Sequence, residues 1–141
     1  MREVSILCYN EIMKELCNCF IAILCTGGVY LLGGFDVALM CLIVAIAIDY
    51  VSGVIKAFVK KELSSRIGLT GLLKKVGVLL VVMIAVVIDR VTGNTGMVRN
   101  LVIYYFVANE GLSVIENLGQ AGVPIPQSIK KALNALKKEN K

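Results

Sequence analysis

A chain of 141 residues that is 57% hydrophobic and only 18% charged, with a mean hydropathy of +0.80, carries more apolar surface than one small core absorbs, because a soluble domain keeps about a quarter of its residues charged. One helical span of a bilayer takes about 20 residues, so three or four spans fill most of the chain and a soluble multidomain enzyme is excluded. There is no histidine and no tryptophan, and 15 basic residues face 10 acidic ones for a net charge of +5, which removes every histidine triad, histidine general base and histidine metal site.

Residues 1–15 mix charges with Ile6, Leu7, Ile12 and Met13. The acidic start fits a signal peptide poorly and reads as a short interfacial or cytoplasmic helix. Residues 16–35 are uncharged and long enough to span, although the pairs Gly27-Gly28 and Gly33-Gly34 weaken a helix in water by about 1 kcal/mol per glycine. Residues 37–55 carry one charge, Asp49, over about 28 Å of helix, close to the hydrocarbon thickness. Residues 76–88 are strongly apolar but short. Leu69, Leu72 and Leu73 extend the run past Lys74 and Lys75, whose ammonium groups can snorkel to the headgroups, giving a span over 71–91. Gly93, Asn94 and Gly96 then predict a turn. Residues 101–119 resume the helix with Glu110 deep inside it, and Gly122, Pro124 and Pro126 end it. The segment 127–141 places Ile129, Leu133 and Leu136 on one face with lysines elsewhere, a short basic amphipathic helix.

The expected fold is therefore all-α and polytopic: four transmembrane helices, or three if 16–35 lies in the interface, within a membrane-embedded unit over 1–126, followed by a basic amphipathic cytoplasmic tail over 127–141. Six basic residues between Lys56 and Lys75 face one acid, Glu62, and five lysines after Gln127 face Glu139. Basic loops stay in the cytoplasm, which puts both termini inside and residues 89–99 outside. Lys60, Lys61, Lys74, Lys75, Lys130, Lys131, Lys137 and Lys138 are then the membrane-surface basic residues, with anionic lipids rather than nucleic acid as their partners. Five irregularly spaced cysteines form no disulfide framework. The lone Cys17-x-Cys19 reads as small apolar residues in a helix, and no small residue precedes Cys25 as lipoprotein processing would require.

A carboxylate inside a span costs about 2.5–3.5 kcal/mol on insertion scales. By helical period Ala45, Asp49, Ser52, Gly53 and Lys56 share a face, too polar and small to face lipid. In the last span Asn109, Glu110, Ser113 and Glu116, with Asn117, form a second polar face. Two readings stay open. These faces line a water-accessible surface built by an oligomer, or they pair internally, Asp49 with Lys56 or Lys75 and Glu110 with Asn109 or Tyr104. No nucleophile sits beside a base and no carboxylate set has ligand spacing, so no enzyme activity, metal or cofactor is expected.

The strings GGFD (33–36), IDYVSGVIKA (48–57), KKELSSRIGLTGLLKKV (60–76) and YFVANEGLSVIENLGQAGVPIP (105–126), with the closing lysine-rich helix, resemble a small phage holin of the toxin-secretion and phage-lysis group of Gram-positive bacteria and their phages, over roughly residues 25–138. The resemblance implies a protein that accumulates in the cytoplasmic membrane, oligomerises with itself and opens large lesions through which an endolysin, or a large toxin, reaches the wall. Two other classes fit a small polytopic chain: a small multidrug-type transporter, whose essential carboxylate belongs in the first helix where 16–35 has none, and a membrane adaptor that docks a soluble partner on its basic tail.

Overall fold

The computed structural model describes residues 2–62, 64–93, 95–129 and 131. Four helices follow in order: α1 (Arg2–Leu31), α2 (Val37–Val59), α3 (Ser65–Thr92) and α4 (Met97–Gln120). The expected interfacial helix over 1–15 and the span after it are one continuous element, since no residue between them breaks a helix. The first glycine pair stays inside α1, where an added Cβ at Gly27 or Gly28 would meet nothing within 4 Å. The second pair ends it. Gly33 and Gly34 adopt φ +83° and +103°, and their N–H groups donate to Tyr30 O and Val29 O, closing the helix through left-handed backbone that glycine adopts without penalty.

Each junction is short and locally encoded. Asp36 caps α2, its carboxylate accepting from Leu39 N at 2.9 Å. At the far end of α2 the chain turns through Lys61, a non-glycine residue at φ 58°. Glu62 N donates to Ala57 O and Lys61 N to Phe58 O, so the turn has the form of a glycine cap without the glycine. Gly93, at φ 70°, ends α3, donating to Asp89 O. Gly122, at φ +98°, follows the end of α4.

Helix α4 lies between α2 and α3 and packs on both, most extensively on α2, while α2 and α3 meet at few points. Contacts at the two ends fix direction. Arg99 in the first turn of α4 reaches Asp36 before α2, and Gln120 at its end reaches Lys60, so α2 and α4 run parallel. Lys75 early in α3 meets Asp49 and Glu110, whereas Asp89 late in α3 meets Arg99 N, so α3 runs antiparallel to both. The buried apolar centre is Leu42, Val82 and Ile103, one residue from each of α2, α3 and α4, flanked by Ile46, Val78 and Phe106. Helix α1 leaves this bundle at Leu31. Arg90 holds that end, stacking 4.2 Å over the Tyr30 ring and donating to Tyr30 O at 2.7 Å.

Among the described residues three helical stretches are long and apolar enough to cross a membrane: Ile12–Leu31, Val37–Val59 and Gly68–Thr92. Against the four spans expected, three qualify by length and composition, which is the number of the three-span alternative with a different membership. Residues 16–35 fall largely within a qualifying helix, while 101–119 do not qualify. The cause is the polar content of α4, where Arg99, Glu110 and Asn117 are buried against its neighbours. Of the expected amphipathic tail over 127–141, residues 127–129 and 131 are helical; the rest lies outside the described residues.

Candidate functional site

The polar side chains of α2, α3 and α4 collect in two clusters, one at each end of the apolar centre. The first is ionic. Lys75 Nζ lies 2.7 Å from Asp49 Oδ2 and also donates to Glu110 Oε2. Asn117 extends this network: its Nδ2 donates to Asp49 Oδ1 at 3.1 Å and to Ser52 Oγ at 3.2 Å, while its Oδ1 accepts from Lys56 Nζ at 2.7 Å. The amide thus turns its oxygen to the ammonium and its nitrogen to the carboxylate, as electrostatics demands. Ser52 Oγ donates to Asp49 O at 2.9 Å. Two carboxylates and two ammonium groups make the set formally neutral. Glu110 and Ser52 are 3% exposed and Asp49 7%, yet among the described residues no buried side-chain nitrogen or oxygen lacks a hydrogen-bond partner.

Both carboxylates thus meet inside one chain and share Lys75. Lys56 bonds Asn117 instead of Asp49, and Asn109 and Tyr104 are exposed, away from Glu110. Gly53 faces α4, where an added Cβ would stand 3.7 Å from Asn117 Nδ2. Ser113 lines a cavity of about 450 Å³ beside Asp49 and Lys75. Glu116 accepts from Gln120 Nε2 at 3.0 Å, and Lys60 Nζ donates to Gln120 Oε1 at 3.0 Å. Lys61, Lys74 and Lys131 are exposed. Lys130, Lys137 and Lys138 lie outside the described residues. Cys17, Cys19, Cys25 and Cys41 are free and exposed, and among the described residues no group of three or more His, Cys, Asp or Glu side chains could hold a metal.

Sequence reasoning missed the second cluster. Arg99 is 5% exposed and spends its guanidinium on the α1–α2 connection. Its Nη1 and Nη2 pair with Asp36 Oδ2 and Oδ1 at 2.7 and 3.1 Å, its Nε donates to Leu32 O at 2.6 Å and its Nη2 to Gly34 O at 3.0 Å. The planar fork suits this geometry as a lysine would not. The hydrogen-bonded Arg99 holds the Asp36 carboxyl below the usual carboxylate range. Gly33 is what lets the arginine in, because an added Cβ would stand 2.8 Å from Arg99 Cδ and Nε. Asp89, 4% exposed, accepts from Val98 N at 3.0 Å and Arg99 N at 2.8 Å. It caps α4 from the neighbouring helix, the local N-cap Gly96 having no side chain to do so. The available signal was a string of charges, Asp36, Asp89 and Arg99, each directly flanking or just inside an apolar run.

The geometry is that of a small helical bundle, with three helices long and apolar enough to span a membrane, closed by two clasps of ion pairs and hydrogen bonds. Comparison with known proteins agrees. The sequence profile of the bacteriophage holin family matches residues 27–138. The chain is 45% identical over 108 residues to an uncharacterised 14.9 kDa protein of Clostridium perfringens, covering 76% of this chain and 82% of the relative. It is 40% identical over 111 residues to YqxH of Bacillus subtilis, 79% of each chain, and 41% identical over 93 residues to a probable holin of Bacillus phage phi105, 66% of this chain and 69% of the phage protein. No solved structure matches. The match takes in α2, α3, α4 and both clasps, and by it the chain belongs to the bacteriophage holin family.

Proposed function

We propose that the chain is a holin: copies accumulate in the cytoplasmic membrane, associate, and open lesions that pass an endolysin, or a large toxin, to the wall. The family match over residues 27–138, which includes a relative named as a probable holin, carries this reading. In it, α4 accompanies α2 across the bilayer as a fourth, shielded helix. Its direction and length follow α2, and its buried arginine, glutamate and asparagine are answered by α2, α3 and the chain between α1 and α2. Lys56–Lys75 and Lys130–Lys141 then face the cytoplasm, residues 89–99 face outward, and both termini are inside. The polar faces around Asp49 and Glu110, satisfied within one chain, are the surfaces that exchange partners and meet water when copies assemble. The tail lysines attract anionic lipid by about 1 kcal/mol each and set timing.

Inducible expression in a bacterium holding a cytoplasmic endolysin tests this. Abrupt lysis after a delay is expected, and expression of endolysin alone gives none. Normal growth with the chain present in the membrane overturns the holin reading. For topology, a cysteine introduced at position 95, after replacement of the native ones, should be labelled by an impermeant reagent from outside.

A further inference from the structure

Helix α1 is fixed to the bundle by its last turn. Tyr30 O accepts from Arg90 Nη2 at 2.7 Å, and the Arg90 guanidinium lies 4.2 Å over the Tyr30 ring. Leu32 O and Gly34 O accept from Arg99 at 2.6 and 3.0 Å, and Leu32 packs against the apolar centre. Leu32 N in turn donates to Gly28 O at 3.0 Å, so the held part of the chain reaches back to Gly28. Before that point the helix is bare. Every residue from 12 to 27 whose side chain is described is exposed, and Gly28 is the first that is not. None of the stretch Ile12–Leu31 is buried.

Three boundaries fall together here. The hold ends at Gly28, the glycine pair is Gly27-Gly28, and the family profile begins at residue 27. No neighbour requires a glycine at either position, because an added Cβ would meet nothing within 4 Å. What the pair supplies is ease of bending, glycine being where helices kink sharply. The pair also lies about one turn from Leu31, near the end of the span. Hydrogen bonds loosened there find water and headgroups, whereas a bend at mid-span would leave them in hydrocarbon. We infer that Gly27-Gly28 is a hinge on which residues 2–26 swing as one helical arm against a fixed bundle that starts at Gly28. A swing of about 20°, the size of a modest kink and of an average span's tilt, moves residue 12 by about 8 Å, since it lies about 22 Å from the pivot. The arm changes its tilt and its neighbours in the membrane while both clasps stay closed.

Double electron–electron resonance tests the hinge, on the full chain in liposomes, with the native cysteines replaced and nitroxides on paired introduced ones. Val87→Cys on α3 with Met40→Cys on α2, both at exposed positions, reports the bundle and should give one narrow distance. Paired with Ile21→Cys, Val87→Cys should give a distribution broader by about 3 Å, and paired with Ile12→Cys one broader by about 8 Å. Gly27→Ala/Gly28→Ala, whose added Cβ atoms are in open space, should narrow the Ile12→Cys distribution to the width of the bundle pair. Gly77→Ala, equally open, should leave it broad. An Ile12→Cys distribution as narrow as that of the bundle pair overturns the hinge. Breadth that survives the double alanine variant overturns it too, because the bend then lies elsewhere. A broad Met40→Cys distribution rejects the fixed bundle and the hinge with it. The measurement involves no lysis, so its failure leaves the holin reading standing.

Discussion

Replacing Lys75 by Met removes the one cation that Asp49 and Glu110 share. Two estimates of the cost compete. Counted as ordinary interhelical hydrogen bonds in a membrane, the two contacts are worth about 0.6 kcal/mol each, little more than 1 kcal/mol together. Counted as a buried ionic group deprived of its partner, the loss is about 3–5 kcal/mol. Exposure decides between them. The side chains of Lys75, Asp49 and Glu110 are 14%, 10% and 4% exposed, so solvent screens little and the larger figure applies. Neutralising all three, in Asp49→Asn/Lys75→Met/Glu110→Gln, should restore most of the stability, because a buried ion set replaced as a whole costs little. The assay is titration of dodecylmaltoside micelles with sodium dodecyl sulfate, read by far-ultraviolet circular dichroism because the chain has no tryptophan. A loss below about 1 kcal/mol for Lys75→Met, or a triple variant no more stable than the single one, would falsify the shared-cation account.

Three further outcomes follow from the clasps and the turns. Gly33→Ala should cost more than Gly34→Ala in the same titration: both are left-handed, a penalty of about 1–2 kcal/mol, but only Gly33 also pushes a Cβ against Arg99. Lys61→Gly should stabilise by about 1 kcal/mol, since it relieves a non-glycine residue at φ 58°, and an unchanged midpoint would show that the turn carries no strain. The Asp36 carboxyl is held low by Arg99, so its contribution is present above the ordinary carboxylate range and disappears as pH falls through its lowered value; Asp36→Asn should flatten that acid limb, and a limb of unchanged steepness assigns it to other groups.

Function supplies one more. The neutral isosteres Asp49→Asn and Glu110→Gln should insert normally yet alter the time of lysis. Wild-type timing would make the carboxylates internal glue alone, and failure to accumulate would make them essential to the fold of one subunit.

Much of the helix content was legible because apolar runs in this chain are long and their ends are marked by Asp36, Lys56, Gly93 and the Gly122–Pro126 segment. The number of qualifying spans was not. A helix is recognised as a span by the residues it shows to lipid, and α4 puts part of its length into residues that its neighbours hide. The polar faces of α2 and α4 were visible from helical period, and Lys75 was one of two cations expected at Asp49; what was not visible is that the same lysine also serves Glu110, because Lys75 lies on a third helix and its reach to both carboxylates depends on the antiparallel packing of α3. Arg99 falls at the end of the stretch expected as an outer loop, whereas it lies buried in the first turn of α4. Its acceptors, Leu32, Gly34 and Asp36, precede it by more than sixty positions, a separation over which periodicity carries no information.

The placement of the least apolar helix in the centre also orders how the protein is made. The translocation machinery meets the chain from its N-terminus. It can pass α2 and α3 into lipid on their own hydrophobicity, whereas α4 has little affinity for hydrocarbon until Asp49, Lys75 and Asp36 are there to receive Glu110, Asn117 and Arg99. On the proposed topology, in which α4 crosses the bilayer, membrane integration of the last helix is a docking reaction onto the earlier ones, completed after they are in place. A host protein carrying α4 alone should leave it unintegrated, while the same segment following α2 and α3 should enter.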